Sequence, residues 1–317
     1  VNEFVMSRIS VVIPMRNAER YINAAIDSIL AQRGVEIEIV VVNDGSTDAS
    51  AERVLAYKDP RVKMIAGPCK GIASALNAGL AAATGDYFAR CDADDIYSPD
   101  RLASQKQWLE AHPDYGAVAG YFTMVNSDLE PVADQRWSHT AEDITQELQN
   151  GVGRTHLCAF LIRMDVMRDL EGFRPYFIGT EDADFQLRIG EVTKIWYEPR
   201  LCYIYRLHGE SITHTQPTAE REFFGRVMRE FQKQRRETGM DDLQRGNPPP
   251  VPANLSKAAT HPKHQIQQLL LGTAWQEHRL GKKLKSISTG IRACLSVPGN
   301  FAAWKSLCAL AIKRAGT

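Results

Sequence analysis

The chain has 317 residues, 44% of them apolar and 24% charged, with a mean hydropathy of −0.30. Such proportions describe a globular protein with ample core and exclude a collagen, a low-complexity chain or a largely disordered one. Lys plus Arg and Asp plus Glu each number 38, and a net charge of zero argues at first sight against nucleic acid or an anionic membrane surface as partner.

The first 125 residues alternate between two periods. Ile9 to Pro14 is a β-branched run that reads as a buried strand, and Asn17 is placed to cap a helix carrying Tyr21, Ile22, Ala25, Ile29 and Leu30. Ile37 to Val42 is a second buried strand, followed by the polar turn Asn43 to Asp48. Next come a helix over Ser50 to Tyr57, a strand over Val62 to Ile65 and a small-residue helix over Ile72 to Ala83. A strand over Asp86 to Cys91, an acidic turn at Asp92 to Asp95, a helix over Arg101 to Ala111 and a strand over Gly116 to Val125 complete the series. Strands joined through short helical crossovers predict an α/β fold with a mostly parallel, Rossmann-like sheet flanked by helices, and ligands at the carboxyl ends of its strands.

Further on, strands are predicted at Leu157 to Ile162, Lys194 to Tyr197 and Leu201 to Tyr205, with a helix starting near Glu181. Residues 217 to 236 read as a charged, solvated helix, and Gly246 to Pro252 as a stiff proline linker ahead of two or three amphipathic helices. The six cysteines lack C-x-x-C spacing, which predicts reduced thiols. With no apolar leader in Val1 to Ser10 and no window of about 18 apolar residues, the expected setting is cytoplasmic.

Cys91-Asp-Ala-Asp-Asp95 is the sharpest chemical signal. On extended backbone Asp92 and Asp94 would point the same way and offer two carboxylates to one ligand. Oxygen donors of this kind suit Mn²⁺ or Mg²⁺ carrying substrate phosphates. The plainer alternative is an acidic turn before a helix, capped by Asp95 or Ser98.

Ser10 to Pro14, Val41 to Asp48, Gly71 to Leu80 and Thr84 to Asp95 occur in an order that strongly resembles the family 2 glycosyltransferases of GT-A fold. The resemblance covers about residues 8 to 125 and resumes weakly to about 213. It implies a nucleotide-sugar site formed by Pro14, Arg16, Asn17, Asp44, Gly71, Asn77, Arg90, Asp92 and Ala93, with Asp94 on the metal. Family members often carry an arginine just before the residue matching Asn77, where this chain has Leu76 and so lacks that diphosphate contact. Gly179 to Phe185 is similar to the family's E-D motif, which implies Asp182 as general base and Glu181 orienting the acceptor. Tyr205-Arg-Leu-His208 resembles the family's closing motif and implies His208 at the metal or diphosphate, while Gly151 to His156 is a candidate acceptor-side loop.

The implied activity is inverting transfer of a sugar from a nucleotide-sugar donor, a UDP-sugar favoured, to a saccharide or lipid-linked acceptor. A sugar nucleotidyltransferase and a non-catalytic sugar-nucleotide-binding protein are the alternatives. The expected organisation is a catalytic domain over 1–215 (nucleotide-sugar half to about 125, acceptor half beyond), a charged helix and linker over 216–252, and a basic helical appendage over 253–317. That appendage holds seven Lys and three Arg against one acid, Glu277, a net of +9 that leaves −9 for the first 252 residues. Its helices could pack on the catalytic domain or lie on an anionic membrane surface. No stacking platform or nucleic-acid motif accompanies the charge, so nucleic acid is not an expected partner.

Overall fold

A computed structural model describes residues 7–208, 218–252 and 262–315. It comprises two compact units, one of Val1–Phe122, Arg136–Tyr205 and Ala219–Leu255, the other of Thr123–Gln135, Arg206–Thr218 and Ser256–Thr317. In chain order the elements begin with β1 (Arg8–Met15), α1 (Ile22–Leu30), β2 (Glu36–Asn43), α2 (Ser50–Leu55), β3 (Val62–Ala66) and α3 (Ile72–Ala82). They continue with β4 (Tyr87–Arg90), β5 (Ile96–Tyr97), α4 (Arg101–Ala111), β6 (Tyr115–Val125), β7 (Pro131–Gln135), β8 (Glu142–Asp143) and α5 (Thr145–Gln149). A 3₁₀ turn (Leu157–Ala159) leads into β9 (Phe160–Arg163), α6 (Met164–Asp169), α7 (Glu181–Val192) and β10 (Lys194–Arg206). The last helices are α8 (Thr218–Thr238), α9 (Pro262–Arg279), α10 (Lys283–Ser296) and α11 (Phe301–Ile312).

Strand order is β3-β2-β1-β4-β9-β6-β10-β5, with β8 paired to β10. β1 runs parallel to β2, from Ile9 beside Ile37 to Met15 beside Asn43, and parallel to β4 on its other side. β9 then pairs antiparallel with both β4 and β6. The apolar runs of β1 and β2 are buried along almost their whole length, as expected of strands covered on both faces. The carboxyl ends of β1, β2 and β4 consequently lie side by side, and the loops after them are the ones rich in polar residues. In the second unit the last residues of β6 meet β7, the Thr123 hydroxyl donating to the Ala133 carbonyl at 3.4 Å. There α9 is tied to α10 through Gln267, whose amide donates to the Ala293 carbonyl, and to α11 through Trp275, whose indole N–H donates to Ser306.

Several expectations are corrected. Asn17 does not cap α1: the helix begins after Tyr21 without a side-chain cap, because Asn17 (φ 52°) is drawn into the loop after β2. The two strands expected at 194–205 are one 13-residue strand that carries Pro199 through its middle, and the strand expected from Leu157 starts with a 3₁₀ turn. The helix over 218–238 is not solvated all round, since Phe224, Val227, Met228 and Phe231 bury one face against Phe177 and Leu187. Among the described residues no helix is long and apolar enough to cross a membrane.

Candidate active site

The site is organised by the turn after β4. Residues 92–95 do not continue as extended backbone; the Asp95 N–H closes a turn onto the Asp92 carbonyl at 3.2 Å. The side-by-side presentation of Asp92 and Asp94 expected from strand geometry is therefore replaced by a turn in which Asp92 folds back on Arg90. The Arg90 guanidinium, buried at the end of β4, donates through Nε to Asp92 Oδ1 at 2.7 Å and through Nη2 to Oδ2 at 3.2 Å. Its Nη1 donates to Glu181 Oε1 at 3.1 Å, so one side chain joins the D-x-D turn to the first residue of α7.

Charge in this cluster follows from burial and pairing. Burial pushes the Asp92 carboxyl up, but Arg90 foremost holds it below the usual carboxylate range. Burial and the neighbouring Asp182 raise Glu181 to about 7 although Arg90 pulls it down. Glu181 Oε2, Thr180 Oγ1 and Gln186 Oε1 are buried without a hydrogen-bond partner among the described residues. Leaving such groups unpaired costs about 1–3 kcal/mol each; Thr180 and Glu181 stand at the start of α7 and Gln186 in its second turn.

Asp182, one residue on, is partly open and lies 3.9 Å from His156 Nε2. The Cys158 backbone N–H donates to His156 Nδ1 at 3.3 Å, which assigns the ring proton to Nε2, facing Asp182. Burial lowers the His156 pKa, so the ring is neutral near pH 7. The His156 ring lies parallel to Tyr203, with centroids 5.8 Å apart. Tyr203 Oη accepts from the Asp92 N–H at 3.0 Å and donates to the buried Asp95 at 2.7 Å, fixing the turn from below, while Tyr97 Oη donates to the Arg90 carbonyl at 2.8 Å. Tyr97, Cys158 and Tyr203 were not singled out by sequence. The signal for Tyr203 is the alternation of polar-tipped aromatics in a strand, with Tyr203 and Tyr205 on one face of β10; Tyr97, in the two-residue β5, carries none.

At the neighbouring strand ends, Asp44 follows β2 and takes the N–H groups of Cys69 and Gly71 at 2.6 and 3.0 Å. Gly71 stands at φ 91°, where a side chain would be strained. Asn17 accepts from the Thr47 N–H at 2.8 Å, and its own N–H donates to Ser46. Pro14 is half-buried and Arg16 exposed at the end of β1, and Ala93 is buried within the D-x-D turn. The structure thus brings Arg90, Asp92, Ala93, Asp94, Glu181 and Asp182 into one neighbourhood, and Asn17 and Asp44 into the adjoining loops. Asn77 stands apart from them. Both ends of its amide engage the Phe173 backbone, at 2.7 and 2.8 Å, which clamps α3 to the segment before α7. His208 is half-buried in the second unit.

For a divalent cation the donor chemistry discriminates between two groupings. Asp92, His156 and Cys158 place one donor atom each within 4.8 Å of one another. Burial pushes the Cys158 thiol well up, so it stays protonated, and a mixed N, S and O set does not suit Mn²⁺ or Mg²⁺. Asp94, half-buried in the turn, offers a carboxylate beside the strand ends. That fits a hard cation which takes most of its ligands from water and substrate phosphate.

The sequence pattern described as Glycosyl transferase family 2 matches residues 10–171, about half of the chain. The chain belongs to the family 2 glycosyltransferases. It is 32% identical over 209 residues to a chondroitin synthase of Pasteurella multocida, and equally so to a hyaluronan synthase of that organism. Each match spans 64% of this chain but about a fifth (21%) of the synthase. An uncharacterised glycosyltransferase of Rickettsia prowazekii is 30% identical over 215 residues, 65% of this chain and 66% of that one. Among solved structures, residues 1–349 of S. aureus TarS in complex with UDP-GlcNAc superpose with a TM-score of 0.59 at 19% identity, covering 96% of this chain and 83% of that one. The mannosyltransferase PcManGT of Pyrobaculum calidifontis, in complex with GDP-Man and Mn²⁺, gives 0.52 at 20% identity, covering 96% and 80%. At such identities the likeness is one of fold, the GT-A type.

Proposed function

We propose that the protein transfers a sugar from a nucleoside-diphosphate sugar, with UDP the favoured carrier, to a hydroxyl of a saccharide or lipid-linked acceptor with inversion. The setting would be the assembly of a polysaccharide, lipopolysaccharide or glycolipid. The observation that carries this reading is the Arg90 bridge between Asp92 and Glu181, which ties a donor-binding turn to an acceptor-binding helix start. The chondroitin and hyaluronan synthases among its relatives and a structural neighbour holding UDP-GlcNAc support the choice of donor and product class.

In this reading the loops after β1 and β2, with Asp44 at their centre, hold the base, and Asp92, kept ionised by Arg90, holds the ribose or sugar. Asp182 takes the proton of the acceptor hydroxyl as its oxygen attacks the anomeric carbon, while the bond to the diphosphate oxygen breaks on the opposite face, which inverts the centre. Glu181, buried behind it, orients the acceptor. Mn²⁺ or Mg²⁺, held by Asp94 with water and substrate phosphate, would when bound supply Lewis-acid neutralisation of the departing diphosphate. The body's net of −9 makes such a cation all the more necessary for an anionic donor. The basic segment 253–317 extends the proposal to a peripheral position on the cytoplasmic face of a membrane.

The test is a transfer assay over nucleotide sugars with Mn²⁺ or Mg²⁺. Loss of a general base costs typically about 10²- to 10⁴-fold, so Asp182→Asn should lose at least about 10²-fold in turnover with its melting curve unchanged. Asp94→Asn should likewise be inactive but folded. Near-normal turnover in Asp182→Asn would hand the role of base to another residue.

A further inference from the structure

α10 is built inside out. Its buried positions are the small or polar Ser286, Thr289, Gly290, Ala293 and Cys294, whereas Leu284, Ile291 and Leu295 are 86%, 43% and 62% exposed. These three fall at i, i+7 and i+11, one face of a helix. α11 repeats the pattern: Phe301, Trp304 and Ile312, at i, i+3 and i+11, are 81%, 38% and 82% exposed, while Ala303 and Leu310 face inward. A soluble surface rarely shows large side chains in such continuous stripes, and where it does they mark a contact site.

Charge selects the occupant. α9, α10 and α11 contain a single acid, Glu277, which is buried and engaged by Lys285 at 3.1 Å and by the Thr289 hydroxyl at 2.8 Å. Arg279, Lys282, Lys305 and Lys313 are exposed. A second copy docking through this face would bring cations against cations. An apolar stripe flanked by Lys and Arg, with Trp and Phe along it, is instead the composition of a helix lying in a lipid headgroup region. We propose that the solvent faces of α10 and α11 together form an in-plane seat for an anionic lipid surface. This deepens the peripheral-membrane reading above and rests on it, naming the residues that enter the lipid.

The test is co-sedimentation of the 317-residue chain with phosphatidylcholine vesicles, with and without phosphatidylglycerol, at low and high salt. Binding is expected only with phosphatidylglycerol and should weaken severalfold at high salt. Combining Leu284→Ser, Phe301→Ser and Ile312→Ser should reduce binding about tenfold or more. Lys282→Gln and Lys305→Gln should each reduce it by about fivefold. Since these side chains are exposed, melting curves should not change, and donor turnover with a soluble acceptor should stay at the parental level. That second readout separates loss of membrane binding from failure of the catalytic reading. The proposal is overturned if vesicles are not bound, if both vesicle types bind equally, or if the triple serine variant binds like the parent. It is equally overturned if that variant instead abolishes self-association or capture of an acidic protein.

Discussion

Glu181 and Asp182 adjoin in sequence but live in different media. Glu181 is buried against Arg90, and burial with the charge of Asp182 raises its carboxyl from 4.5 to about 7. Between those two values the folded protein holds a proton that the unfolded chain has released. Stability from this group is therefore complete below about 4.5 and lost as pH rises through about 7, with a slope of at most about 1.4 kcal/mol per pH unit. Glu181→Gln, which cannot ionise, should flatten that limb in urea melts taken across the window; a variant with the parental slope would clear Glu181 of responsibility. The acidic pair itself was legible in the sequence, as was the D-x-D. What joins them was not. The Arg90–Glu181 and Asp92–Tyr203 contacts span 91 and 111 residues, and no local pattern announces that an arginine and a tyrosine from separate strands and a histidine from a loop will converge.

Elements of the first 125 residues were legible because strands buried on both faces are written as unbroken apolar runs and their crossover helices as a 3.6-residue period. The small-residue character of α3 also had a meaning that the structure supplies. At Gly79 a β-carbon would stand 2.3 Å from Val12 Cγ1 and 3.0 Å from Val42 Cγ2, so the helix lies directly on β1 and β2. Gly79→Ala should thus destabilise by about 1–3 kcal/mol through overpacking, although alanine gains up to about 1 kcal/mol in helix propensity. Gly272 in α9 has nothing within 4 Å of its would-be β-carbon, and Gly272→Ala should stabilise by up to about 1 kcal/mol. Thermal melts of both variants check this pair, and shifts of equal sign would contradict it. Legibility failed at α8, where a stripe at Phe224, Val227, Met228 and Phe231 was outweighed by the surrounding charges. Its apolar face became evident only with the partner residues Phe177 and Leu187 in place.

On the scale of the molecule the zero net charge is a cancellation between the acidic first 252 residues and a basic tail, and the first compact unit is itself discontinuous in sequence. Its last segment, Ala219–Leu255, returns to residues 1–122 and 136–205 and must be fastened there. The fastening is ionic as well as apolar. Asp241, fully buried, accepts from Arg174 Nη1 at 2.5 Å, from Arg235, and from the Gln244 N–H at 3.0 Å. Arg174 also bonds Asp184 of α7, and Arg235 bonds Glu191 at 2.7 Å. Deleting Asp241 leaves two nearly buried guanidinium groups facing one another, and removing one partner from such a network costs about 3–5 kcal/mol, against roughly 0–1 kcal/mol for an exposed pair. Asp241→Ala should therefore lower the urea midpoint by the larger amount, and Asp241→Asn, which keeps the shape and one acceptor oxygen, by less. A loss below about 1 kcal/mol in the alanine variant would mean that the apolar face of α8 alone holds the returning segment.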